Sequence, residues 1–159
     1  MDYYSIVVFL HILSVFALLA SHGVSMVVLY RIRPERDRRR ILDLVTLSGE
    51  TTVPMYVSLG GILVFGVLAG IEGQWFDEAW IWISIVLLVV IVGLMTAVAK
   101  PYFAKIKDAC QVRPSGVPRV SDEELGQILM SGRAHLITAI GGIGLLAILY
   151  LMVFKPSIG

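Results

Sequence analysis

The sequence predicts an all-α polytopic membrane protein, an antiparallel four-helix transmembrane bundle, and three observations carry that prediction. Of the 159 residues, 57% are hydrophobic and 16% charged, where a soluble domain has about 45–50% and about 25%; the mean hydropathy is +0.84. The apolar residues gather in four stretches, about residues 3–30, 42–71, 79–99 and 130–154, each able to supply the roughly 20 residues that cross a bilayer. The basic residues gather in alternate connections between them. A water-soluble fold is excluded, and the length allows one domain, residues 1–159.

Each element follows in order. The first stretch opens with Tyr3 and Tyr4, has no basic leader, and is followed by positive charge, so it reads as a retained helix rather than a cleaved signal peptide. Arg31, Arg33, Arg36, Arg38, Arg39 and Arg40 make up the first connection. In the second stretch Pro54 has no N–H for the carbonyl of Glu50, which predicts a kink. The second connection, residues 72–78, has three acids and no base. Trp75, Trp80 and Trp82 sit around the start of the third stretch, where amphipathic rings meet lipid headgroups. Residues 100–127, with Pro101, Pro114 and Pro118, read as an irregular cytoplasmic loop. It ends in Ser121-Asp-Glu-Glu124, a capping box from which the fourth helix starts.

Twelve of the thirteen basic residues fall in the first connection or between Lys100 and Arg133, and only Lys155 lies elsewhere. The positive-inside rule then puts both termini on the outer side of the membrane. The net charge of +1 gives no reason to expect a nucleic-acid partner. A single cysteine, Cys110, excludes an internal disulfide and a CxxC site. The partners expected are the lipid bilayer and either other membrane subunits or a second copy. The Gly66–Gly70 GxxxG spacing serves bundle packing more often than a homodimer.

Ionisable residues inside spans are costly and mark function by default. His11 and His22 are 11 residues apart, about 20° past three full turns, so they share a face with Ser14, Leu18 and Ser25. Glu50, Thr51, Pro54, Ser58 and Gly61 align on the second helix, and Ser131, His135, Thr138 and Gly142 on the fourth. The third, with only Ser84 and Thr96, reads as mainly lipid-facing. Helices one, two and four are therefore expected to turn these stripes toward a common interior. Counted from the outer boundary, His22 is 18 residues from Tyr4, Glu50 is 22 from Glu72 and His135 is 20 from Lys155, so the three fall at one level. His22 and His135 could then supply both imidazoles of a b-type haem, with Glu50 or Arg133 beside them. The same residues allow other readings. One is a non-catalytic scaffold or accessory subunit whose histidines satisfy one another. Another is a proton or ion route through His11, Ser14, His22 and Glu50. A third is a copper site built from His11, His22 or His135 with methionine, although the six Met residues form no cluster. No catalytic residue is assigned.

The phrase Tyr3-Tyr4-Ser5-Ile6-Val7-Val8-Phe9-Leu10-His11-Ile12-Leu13-Ser14, the basic connection after it, and Trp80 and Trp82 opening the third helix resemble an uncharacterised bacterial family of small four-helix integral membrane proteins. That family is related to the copper-resistance D-type membrane proteins and, distantly, to the haem-containing protoporphyrinogen oxidases. The resemblance implies a bacterial cytoplasmic (inner) membrane protein, a haem b cofactor, and His11 as an iron ligand. The oxidase branch also carries a lysine within its third helix; here that interior has none, and Lys100 lies at its inner end. Resemblance thus favours His11, whereas depth counting favours His22 with His135. Two haems stacked along the first helix would reconcile them, with the histidines about 16 Å apart. The function expected is haem-based electron transfer, or service as a membrane subunit of a redox complex.

Overall fold

The structure is a computed structural model describing residues 2–157. It is all helical apart from its connections: α1 (Tyr3–Arg31), α2 (Arg38–Glu50), α3 (Thr52–Glu72), a 3-10 turn at Trp75–Asp77, α4 (Ala79–Ala109), α5 (Asp122–Met130) and α6 (Arg133–Phe154). Four segments are long and apolar enough to cross a membrane, namely Tyr3–Arg31, Arg38–Glu72, Ala79–Ala109 and Asp122–Phe154. Their outward faces are apolar: Val27, Val57 and Ile143 are each about 70% exposed, as lipid contact requires. The chain is a multi-pass four-helix bundle with a basic end, formed by the first and third connections, and an acidic end with the start of α1, the end of α6 and residues 72–78.

Three expected boundaries shift, each for a local reason. The second stretch is two helices, because the ladder breaks at Thr51, three residues before Pro54, and the Thr51 hydroxyl donates to the Ser48 carbonyl at 2.8 Å. The expected loop 100–127 is corrected to residues 110–121, since α4 runs through Pro101 to Ala109. Pro101 lies on the exposed side, while Tyr102, Ile106 and Ala109 bury one stripe that repays continuing the helix. The remaining loop folds on itself around Gly116, at φ +80°, with Arg113 donating its N–H to Val117 at 2.8 Å. Ser121 does cap the next helix, accepting from the Glu124 N–H at 3.1 Å. That helix is the short α5, and the chain turns out of helical geometry at Ser131 before α6 begins.

The buried core lies at the basic end, not in the membrane middle. Val28, Leu29 and Ile32 from α1 and its C-cap pack with Ile41 and Val45 of α2, Tyr102 and Ile106 of α4, Leu125 and Leu129 of α5, and Ala134 and Ile137 of α6. Two arginines of the first connection tie this core together. Arg33 donates to the carbonyls of Ser131 (3.0 Å) and Met130 (3.3 Å). Arg38 donates to the carbonyls of Ala109 and Val120, both at 2.8 Å, and to Asp122. Between them, Glu35 accepts the N–H groups of Arg36 and Asp37 and pairs with Arg40 at 3.2 Å. These contacts hold its carboxyl below the usual carboxylate range, the two backbone bonds contributing most. Its contribution to stability is therefore present above the ordinary carboxylate pKa and lost as pH falls through the lowered one.

Cys110 is 4% exposed in this core. Burial pushes its thiol above the ordinary value, and the positive charge of Arg38 offsets part of the rise. Because thiolate is the reactive form, maleimide labelling of the native protein at neutral pH is expected to run on the order of tenfold or more slower than after denaturation. Equal rates would show that the core opens freely.

At the acidic end aromatic rings close the bundle. Trp75 and Trp80 meet as tilted rings with centroids 5.9 Å apart, the Lys155 ammonium sits 3.7 Å from the Trp75 centroid, and Trp75 donates to the Tyr4 hydroxyl at 3.5 Å. Between the two ends the helices pair: α1 lies along α3 and α4 along α6, with few contacts between the pairs. This corrects the expectation that α4 faces mainly lipid.

Candidate functional site

Glycines decide how closely the pairs approach, and two of them receive the candidate histidines. A Cβ on Gly66 would lie 3.0 Å from the His11 ring, and one on Gly141 would lie 2.9 Å from the His22 Nε2. His11 therefore packs on α3 and His22 on α6. The His11 Nδ1 is 3.0 Å from the Ile62 carbonyl oxygen. A carbonyl only accepts, so Nδ1 carries the proton and neutral His11 keeps a lone pair on Nε2. One turn on, Ser14 bonds the Leu10 carbonyl at 2.8 Å and lies against Gly61. Deeper still, the Ser48 hydroxyl donates to that of Ser25 at 2.8 Å and joins α1 to α2. The polar face of α1 is thus turned inward, as the sequence indicated.

The fourth-span stripe is rotated by one residue. The buried residues of α6 are Ala134, Ile137, Gly141 and Gly144, not the expected Ser131, His135, Thr138 and Gly142. His135 is exposed, its ring 5.7 Å from that of Tyr30 and its Nδ1 3.3 Å from the Tyr30 hydroxyl. Tyr30 is eight residues beyond His22, and Gly141 six beyond His135, which staggers the two histidines by roughly 9–12 Å along the bundle. A single metal ion takes its imidazole nitrogens at about 2 Å. The expected pairing of His22 with His135 is therefore corrected. Lys155 does not lie level with Tyr4. Gly141, opposite His22, is 14 residues from Lys155 where His22 is 18 from Tyr4, a difference of one turn. The long lysine side chain spans that turn to reach Trp75.

Glu50 and Arg133 are likewise not beside a histidine pair. Glu50 is exposed and lines a shallow groove at the basic end with Val45, Gly49, Phe103 and Lys107. Arg133 lines a separate cleft with Tyr102, Lys105 and Glu124. The continuous proton or ion ladder from His11 to Glu50 is not assembled, since Glu50 is exposed in a groove that no α1 residue lines. Among the described residues no group of three or more His, Cys, Asp or Glu side chains is close enough to hold a metal ion. Gly66 and Gly70 of the GxxxG spacing are both used within the chain, Gly70 against Phe76 and Ile81.

Residue by residue, a haem fits unevenly. One imidazole, His11, has its second nitrogen fixed by a backbone carbonyl, the arrangement that orients metal-bound histidine. His22 has a ring in the interior and no such partner for its orientation, and His135 lies outside the bundle. A bis-imidazole site between His22 and His135 does not fit, and His11 is the one histidine whose ring nitrogen is held by a backbone carbonyl. Tyr30, Arg33 and Arg38 were not singled out in the sequence. The signal for the arginines was Ile32 and Ile41, apolar residues within and just after the basic run and both fully buried. Comparison with known protein families, with characterised proteins and with solved structures finds no match.

Proposed function

We propose that this multi-pass membrane protein is a b-type haem protein of the bacterial cytoplasmic membrane, with both termini outside, used for electron transfer or as the membrane subunit of a redox complex. The observation that carries the proposal is the hydrogen bond from His11 Nδ1 to the Ile62 carbonyl, which leaves Nε2 as the available nitrogen within a membrane span. His11 would hold the iron as its one protein ligand from this chain, and Ile62 and Gly66 would fix the ring plane. The haem would supply one-electron chemistry at a potential set by ligand, burial and neighbouring charge. The protein's share is to orient the imidazole, keep Nδ1 protonated and exclude water with the apolar α1–α3 seam.

A second reading, a non-catalytic accessory subunit, is favoured by one specific observation: each histidine already has a structural use, His11 on Ile62, His22 on Gly141 and His135 on Tyr30. Absorption spectra of the purified protein separate the two. Haem binding gives a Soret band that shifts on dithionite reduction; the His11→Ala variant is expected to lose it, while His135→Ala keeps it. A protein that stays colourless and iron-free after haem is added leaves the accessory subunit. A Soret band unchanged in His11→Ala removes His11 as the ligand.

A further inference from the structure

We propose that the cleft where α4, α5 and α6 meet at the basic end binds a phosphate group. The cleft has a volume of about 280 Å³, room for roughly nine waters. Two cations from different helices line it, Lys105 from α4 and Arg133 from the first turn of α6. Gln127 adds an amide, while Glu124 on the same wall leaves one positive charge in excess; the Tyr102 hydroxyl is already used on the Ile128 and Leu129 carbonyls. That balance matches the single negative charge of a phosphodiester.

A second observation points to a missing acceptor. Ser131 lines the cleft, and its Oγ is the one buried side-chain nitrogen or oxygen without a hydrogen-bond partner among the described residues. Buried hydroxyls are normally paired, so an orphan at a cleft wall calls for a group that arrives from outside. The hydroxyl sits immediately before α6, a 22-residue helix whose N-cap, Gly132, provides no side-chain cap and whose first turn holds no acid. The free N–H groups of that turn favour an anion. Arg33 holds the carbonyls of Met130 and Ser131 and so fixes the backbone that carries the Ser131 hydroxyl. Cations, a hydroxyl donor and a helix start thus meet in one recess, as recognition of phosphate oxygens requires.

The phosphate can come from an anionic lipid headgroup, which basic residues at a membrane surface attract, or from solution. The full chain in phosphatidylcholine nanodiscs tells these apart. Its unfolding midpoint is followed while phosphatidylglycerol is added to the discs or, separately, inorganic phosphate is added at constant ionic strength. Native mass spectrometry reads the lipid retained. A rise with phosphatidylglycerol alone identifies the headgroup, and a rise with inorganic phosphate identifies a soluble ligand. Lys105→Gln and Arg133→Gln are each expected to weaken binding about fivefold, whereas Lys100→Gln, on the same helix outside the cleft, leaves it unchanged. Ser131→Ala, which removes the orphan hydroxyl, keeps the ligand-free midpoint and reduces the rise, so the test stands even where a charge variant folds poorly. No rise with either addition, or an equal rise in all variants, overturns the proposal.

Discussion

Replacing Arg38 by alanine is expected to destabilise the basic end by about 3 kcal/mol or more, a loss typical of breaking a buried charged hydrogen-bond network. The guanidinium is 15% exposed and donates at 2.8 Å to two carbonyls that no helix satisfies, Ala109 at the end of α4 and Val120 just before α5. Each charge-assisted bond of this kind contributes about 1.5–3 kcal/mol, and its loss leaves an acceptor unpaired. The ion pair with Asp122 is the smaller part. That carboxylate is 91% exposed, so solvent screens it, and Asp122→Asn is expected to cost under about 1 kcal/mol. Arg38→Lys keeps the charge but not the planar fork that reaches three acceptors at once, and should fall nearer alanine than wild type. Unfolding titrations in mild detergent check the order. A loss in Arg38→Ala no larger than in Asp122→Asn would show that the carbonyl bonds contribute nothing.

That expectation arises from a run of residues whose meaning the sequence showed only in part. Six arginines in one connection speak first of topology, because charge asymmetry between loops is a property of whole segments. That two of them are also internal donors depends on where the ends of α4 and α5 lie. Proline normally halts a helix, but here the buried stripe Tyr102, Ile106 and Ala109 carries α4 past Pro101. The number of spans was legible for the opposite reason: twenty apolar residues outweigh any local irregularity.

Facing was legible on α1 and in part on α3, where Ser58 is buried and Gly61 lies against Ser14. On α1 the polar residues are few and fall at helical spacing, so inward and outward sides differ. α6 is apolar around its whole circumference, and in lipid an apolar side chain gains nothing from facing inward. Its buried face is marked by Gly141 and Gly144, which admit His22 and Ile91, and its polar residues mark nothing: His135 points outward and Thr138 bonds its own helix at the Ala134 carbonyl, 3.0 Å away. The same distinction decides the candidate site. That His11 faces the interior was legible from its place on α1, whereas pairing His22 with His135 required a register between helices that only the packing fixes.

Because packing rather than solvent exclusion holds membrane helices together, Gly144 should be among the least tolerant positions of the α4–α6 pair. A Cβ there would run into the Ile91 side chain, with Cγ1 at 2.7 Å. Ile91 is 8% exposed and branched, so it has little freedom to move aside. Gly144→Ala is expected to cost about 1–3 kcal/mol through overpacking, and Gly144→Leu more. Gly142, one residue from the buried Gly141, has open space at its Cβ position, and Gly142→Ala should be neutral or slightly stabilising. The decisive variant combines Gly144→Ala with Ile91→Ala. Ile91→Ala alone forfeits the contacts of a buried side chain, but in the double variant the new methyl occupies part of the space. The two losses should then fall short of additivity by at least about 0.5–1 kcal/mol, the signature of side chains in direct contact. Strict additivity, or a Gly144→Ala variant as stable as Gly142→Ala, would mean that the pair is not packed at this point.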